Sequence, residues 1–117
     1  MEGIIGEYMA IYNAAELAEV TALGTSEAQV FSNSNKCIIK QIMLANYTAT
    51  DRTVEVKVIP SGNTTGDQHI IFGDITVQAN TTTTIDLAMV IPASASVAAK
   101  CSAATSVNIH VSGVEVS

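Results

Sequence analysis

The stretch that decides the fold is Thr53-Val54-Glu55-Val56-Lys57-Val58-Ile59-Pro60. Apolar and charged side chains alternate in it, so that the valines point to one face while Glu55 and Lys57 point to the other. A period of two is typical of a β-strand with one face in a core. Pro60 ends the strand because it has no backbone N–H to donate. The stretch therefore predicts an antiparallel sheet that covers a hydrophobic core.

Comparable segments recur on both sides of this strand, and polar turn clusters separate them. They lie at residues 17–23, 28–31, 37–45, 69–77, 82–91 and 106–116. Their spacing of about 8–12 residues, with no internal helix pattern, predicts an all-β fold: a single antiparallel β-sandwich of seven or eight strands, of jelly-roll or immunoglobulin-like type. The chain has no Trp, which argues against a true immunoglobulin domain.

Three segments carry more specific expectations. Residues 37–45 are nearly all apolar, which indicates a central strand that is buried on both faces or covered by a partner on its outer face. We expect the segment 69–77 to be broken at Gly73-Asp74. The last segment has apolar residues of both parities: Val107, Ile109, Val111, Val114 and Val116. We expect a bulge at Ser112-Gly113, with Gly113 in the left-handed conformation, to bring all five to one face.

Residues 1–16 differ from the rest and are predicted to form an N-terminal arm, separate from the sandwich domain at 17–117. Their apolar residues recur at helix-like spacing, so the arm can form one short helix. The candidate protein-interaction residues are Ile4, Ile5, Tyr8, Met9, Ile11 and Tyr12. An arm with this much apolar surface is expected to pack on its own domain or on a neighbouring subunit. The alternative is an ordinary first element of the core.

Length and charge exclude several classes of protein. The 117 residues suffice for one domain. The net charge of −6 and only five basic residues argue against a nucleic-acid partner, which needs clustered Lys and Arg. No apolar run reaches the roughly 20 residues of a membrane-spanning helix. No secretion signal is visible, so we expect a complete translation product made in the cytoplasm. Cys37 and Cys101 are expected to be reduced, buried thiols, with a disulfide between adjacent strands as the alternative.

No constellation for catalysis can be identified, and we expect no enzyme, no cofactor and no metal. The two histidines, His69 and His110, lie in no motif, and His110 is expected on the outer face of the last strand. The loop at 61–67 has only one carboxylate and offers at most a weak cation site. Three sequons begin at Asn46, Asn63 and Asn80, and we interpret these asparagines as turn residues.

The pattern of turns and strands resembles that of small virion structural proteins of tailed bacteriophages. The matching pieces are Val30-Phe31, the turn 32–35, the Lys-led strand 36–46, the turn 48–52, the strand 53–59 and Pro60-Ser61-Gly62. The resemblance continues at 77–82, at 85–87 and at the C-terminal 111–116, so it covers residues 18–117. Ala93-Ser94-Ala95 departs from the Ala-Gly-Asp that such chains often carry, and the arm lies outside the pattern.

The resemblance implies a non-enzymatic component of the virion, made in the host cytoplasm. Candidate roles are capsid decoration, a head or tail fibre subunit, and a neck or tail accessory. The implied partners are other virion proteins and further copies of this chain, with a trimer favoured among homo-oligomers. The alternative is a receptor- or glycan-binding β-sandwich module, which would use Tyr47 and the loops at 61–67 and 93–96.

Overall fold

Eight β-strands and one 3₁₀ turn make up residues 11–116, the part of the chain that the computed structural model describes. The strands are β1 (Tyr12–Ala22), β2 (Ala28–Ser32), β3 (Lys36–Asn46), β4 (Arg52–Ile59), β5 (Ile70–Val77), β6 (Thr82–Ile91), β7 (Ser96–Cys101) and β8 (Val107–Val116). The 3₁₀ turn, Asp67–His69, precedes β5. Strand β7 lies where the sequence showed only a Ser- and Ala-rich segment.

The strands form two four-stranded sheets, with all neighbours antiparallel. The first sheet has the order β1-β8-β3-β6, and the second has the order β2-β7-β4-β5. Most hydrogen-bonded neighbours are therefore distant in sequence, as in the double Greek key of a jelly roll. The predicted all-β sandwich is confirmed, and of the two topologies considered it is the jelly roll.

The core lies between the inner faces of the two sheets. Strand β4 shows how the sequence produces it, because Val54 and Val56 are fully buried while Glu55 points outward opposite Lys100. Each fully buried Val, Ile or Leu contributes about 1.5–3 kcal/mol through the hydrophobic effect. The largest fully buried side chains are Ile39, Ile42, Leu44, Val54, Val56, Val77, Ile91, Val97, Val107, Ile109 and Val111.

The expected bulge at Ser112-Gly113 is wrong in its position. Strand β8 keeps its alternation throughout, and the extra residues lie opposite it, after Glu16 in β1 and after Ile39 in β3. Gly113 does not have a positive φ. Glycine is needed there because a Cβ would collide with the backbone carbonyl of Ile38. Val114 consequently stays on the outer face of the first sheet, opposite Ile38.

Two further boundaries differ from the expectation. Strand β1 begins at Tyr12, so residues 12–16, assigned above to the arm, pair with β8 as a strand and not as a helix. The arm residues Ile4, Ile5, Tyr8 and Met9 lie outside the described residues. Strand β5 is continuous across Gly73-Asp74, where a register shift against β4 takes up the irregularity.

Candidate interaction surface

The outer face of the first sheet exposes an apolar row that crosses all four strands. Strand register places Ala14 beside Val114, Val114 beside Ile38, and Ile38 beside Val90. Residues paired in this way share one face of a sheet. Val90 is 57% exposed and Ala14 is also exposed, whereas Ile38 and Val114 between them are half-buried. These four residues are called the apolar row below.

A second apolar region lies at the other end of the same face. Val20 and Met43 are both exposed, and with Ala45 they line a groove of about 180 Å³. A band of polar residues separates this groove from the apolar row. In that band Gln41 Nε2 donates a hydrogen bond to Asp86 Oδ1 at 3.1 Å, and His110 Nε2 lies 3.0 Å from Glu16 Oε2. His110 thus lies on the outer face, as the sequence predicted.

Two lysines border the apolar row on β3. Cys37 and Ile39 are fully buried and therefore point inward. Because side chains alternate along a strand, Lys36 and Ile38 point to the outer face. Lys40 is exposed at the irregular register after Ile39. Strand β3 is therefore central but not buried on both faces, so the first of the two interpretations of its apolar sequence is wrong.

On the outer face of the second sheet, a lysine is covered by residues of its own chain. Lys57 points out from β4, yet its side chain is only 10% exposed, because Nζ lies 2.8 Å from Glu27 Oε1 and 3.5 Å from Thr65 Oγ1. The hydrogen bonds from Lys57 and Thr65 lower the pKa of the Glu27 carboxyl below its ordinary value. Beside this pair, Lys100 Nζ lies 3.6 Å from Glu55 Oε2.

A carboxylate fixes the end of the first sheet next to the apolar row. Glu115 accepts hydrogen bonds from Asn33 Nδ2 at 2.9 Å and from Asn35 Nδ2 at 3.0 Å, on its two separate oxygens. The two bonds, that from Asn35 first, lower the pKa of Glu115. The turn between β2 and β3 is thereby tied to the last strand. The sequence showed a polar turn at 32–35 but gave no sign of this partner.

Asn46 was interpreted as a turn residue; its side chain does bond to the turn that follows, but the residue itself is a buried strand end. It is the last residue of β3 and is 2% exposed. Its Nδ2 donates to the carbonyls of Thr50 and Val77, and its Oδ1 accepts from the Thr48 N–H. The buried amide satisfies backbone groups that would otherwise lack partners. A sugar could not occupy that nitrogen in the folded chain, so the sequon at Asn46 is structural.

The remaining predicted residues lie apart from one another. Ile11 is 59% and Tyr12 is 64% exposed, and Tyr12 pairs with Val116 at the end of the sheet that carries the apolar row. Cys37 and Cys101 are buried and free, as expected, and burial raises the pKa of the Cys37 thiol. His69 lies in the 3₁₀ turn.

Among residues 11–116 no group of three or more His, Cys, Asp or Glu side chains is placed to hold a metal ion. Within the same residues no helix has the length and hydropathy to cross a membrane. Of the three aromatic residues after residue 16, Tyr47 is exposed, whereas Phe31 is buried and Phe72 packs against the core.

Two solved virus structures align with this chain over most of its length. A chain in the structure of infectious bursal disease virus Gx strain aligns over 92% of this chain with a TM-score of 0.61 and 12% identity. The protein spans only 33% of that longer chain. The coat protein of Tobacco streak virus aligns over 92% of this chain and 85% of its own, with a TM-score of 0.45 and 12% identity.

No protein-family model matches the sequence, and a search of curated proteins finds no match. At 12% identity the likeness to the infectious bursal disease virus chain supports the fold alone, and residues 11–116 form an eight-stranded jelly-roll sandwich.

Proposed function

We propose that the protein is a non-enzymatic structural subunit of a virion, which assembles through contacts with other virion proteins. The observation that carries this proposal is the apolar row, which runs across the four strands of one outer face and ends in the exposed residues Ala14 and Val90. Contiguous exposed apolar surface of this kind marks sites of protein–protein contact. The fold shared with a chain of a virus structure supports the same class of role, although a fold alone does not assign one.

The finer proposal is an accessory protein of a tailed bacteriophage, either a capsid decoration protein, a fibre subunit or a neck or tail component. It rests on the sequence resemblance over residues 18–117. In this role the chain lies in the virion after synthesis in the host cytoplasm and forms a homo-oligomer, with a trimer favoured. The proposed contact residues of the N-terminal segment are Ile4, Ile5, Tyr8, Met9, Ile11 and Tyr12.

The test is the protein content of purified particles. Virions from a producing culture are banded on a density gradient, washed in about 1 M NaCl and analysed by quantitative mass spectrometry. Contacts through apolar surface resist this salt, whereas loose ionic adhesion does not, because the Debye length falls to about 3 Å. We expect a fixed copy number per particle that the wash leaves unchanged. Absence of the chain from washed particles would contradict the proposed function.

A further inference from the structure

The apolar row together with Lys36 and Lys40 has the chemistry of an acceptor for an acidic, apolar peptide segment. Ile38 lies on the outer face of β3 between the two exposed lysines, with Val114 on one side and Val90 on the other. The row crosses three strand spacings, which is about 14 Å. A segment of matching size needs an apolar stripe and negative charge beside it.

The sequence holds one segment with this composition, residues 1–10. Four of its ten residues are large and apolar: Ile4, Ile5, Tyr8 and Met9. Its charged side chains are Glu2 and Glu7, and it has no Lys or Arg. The apolar residues recur at the spacing of one helix face, and a ten-residue helix is about 15 Å long. Apolar content and charge thus both complement the apolar row and its lysines.

The point where this segment joins the sheet favours an acceptor on another copy. Strand β1 enters the sheet at Tyr12, opposite Val116 and at the end that carries the apolar row. To cover its own row the chain would have to reverse direction just before Tyr12. Between Gly6 and Asn13 the sequence has no Gly, Pro, Asn, Asp or Ser, which are the residues that form tight turns.

We propose that residues 1–10 of one copy dock on the apolar row, Lys36 and Lys40 of a second copy. This inference deepens the proposed function and rests on it, since it names the surface through which the subunits meet. The segment and its acceptor are different surfaces, so the contact is heterologous and closes into a ring when the rotation between copies permits. A closed ring of three copies is one such assembly.

The test uses two full-length variants that each remove one side of the contact. The donor variant carries Ile4→Asp and Tyr8→Asp. The acceptor variant carries Val90→Asp, which puts a charge into the apolar row, and Lys40→Glu, which reverses the charge of a lysine proposed to meet Glu2 or Glu7. The control, Thr76→Asp, adds one negative charge, as Val90→Asp does, at an exposed site of β5 on the other sheet. Circular dichroism and thermal melting establish that each variant keeps the fold of the parent chain.

Sedimentation velocity gives the association state at concentrations of about 1–100 μM. We expect the parent chain and the control to form oligomers, whereas the donor and acceptor variants each sediment as the 12.2 kDa monomer, with association weakened at least about tenfold. An equimolar mixture of the two variants should form a one-to-one complex. In that complex the intact segment of the acceptor variant meets the intact row of the donor variant.

Three results would overturn the inference. A monomeric parent chain at 100 μM would exclude the contact, and unchanged oligomers of both variants would place the contact elsewhere. A mixture that stays monomeric would show that the segment covers its own row. None of these results bears on whether the chain is present in washed particles, so the inference and the proposed function fail separately.

Discussion

The outer faces of the two sheets differ in how they are covered. On the second sheet, Glu27 and Thr65 close over Lys57, and Lys100 pairs with Glu55. On the first sheet, the apolar row lies open and its border carries Lys36 and Lys40. Both inner faces bury the same kind of aliphatic core. The core is built from the inner faces, so the apolar row lies outside it and is the surface that we propose for assembly.

The largest expected effect tests how tightly the first sheet is built. Gly113→Ala places a methyl group against the Ile38 carbonyl, and we expect a loss of about 3 kcal/mol in the free energy of unfolding, the cost of overpacking. Gly73→Ala is the matched change in β5, where nothing lies within 4 Å of the added Cβ, and should stay within about 0.5 kcal/mol. Urea denaturation measures both. Equal losses of unfolding free energy in the two variants would show that the space between Gly113 and the Ile38 carbonyl admits a methyl group.

The second prediction concerns the charges of the two outer faces. Glu27→Gln removes the partner of a lysine whose side chain is 10% exposed, and we expect the melting temperature to fall by a few degrees. Glu16→Gln removes the partner of His110 on the open face, where Glu16 is 58% exposed, and should change the melting temperature by less than about one degree. A scanning calorimeter separates the two. A larger fall in melting temperature for Glu16→Gln than for Glu27→Gln would contradict the prediction that the more buried ion pair contributes more.

The third prediction concerns pH and the rim of the first sheet. Because its pKa is lowered in the folded state, Glu115 contributes stability that is fully present above its ordinary pKa. That stability is lost as the pH falls through the lowered pKa and the carboxyl is protonated. The unfolding free energy of the parent chain should therefore drop on acidification below about pH 5, and Glu115→Gln should make this drop shallower. An unchanged slope in the variant would contradict the role of the Asn33 and Asn35 hydrogen bonds.

The smallest expected effect is on the apolar row. Val90→Thr keeps the β-branched shape at a site that is 57% exposed, so the unfolding free energy should change by no more than about 0.5 kcal/mol. Binding of the dye ANS, which reports exposed apolar surface, should nevertheless decrease. Thr76→Val, which adds an apolar side chain on the other sheet, is the control and should not decrease it. A clear loss of stability in Val90→Thr would mean that the row packs within the described sandwich.

Much of the strand pattern followed from local sequence. Strand β6 has the predicted bounds, and Pro60 and Pro92 follow the ends of β4 and β6. Predictions failed where a distant residue decides the environment. The sequence did not show that Asn46 is buried, because its partner, the Val77 carbonyl, is 31 residues away in sequence. Gly113 was predicted to adopt a left-handed conformation in a bulge. The real reason for glycine, the Ile38 carbonyl that leaves no room for a side chain, lies on another strand and does not show in the local sequence.

The candidate surface was visible from the sequence only in part. The apolar composition of β3 and of residues 1–10 is local, and it indicated surfaces that pack on something. The apolar row joins Ala14, Val114, Ile38 and Val90 from four strands, and no pattern along the chain shows that they share a face. Val114 was expected on the inner face, so the sequence prediction would have removed it from the surface.

The sequence by itself determined the class of fold. Alternating apolar residues and polar turns allow little besides an antiparallel sandwich, since period-two burial and strand ends are local properties of the chain. The tertiary structure decided the rest. The order β1-β8-β3-β6 selects the jelly roll and fixes which residues lie side by side, because strand pairing is a choice between distant segments. That choice placed two ion pairs on the outer face of one sheet and the apolar row on the outer face of the other.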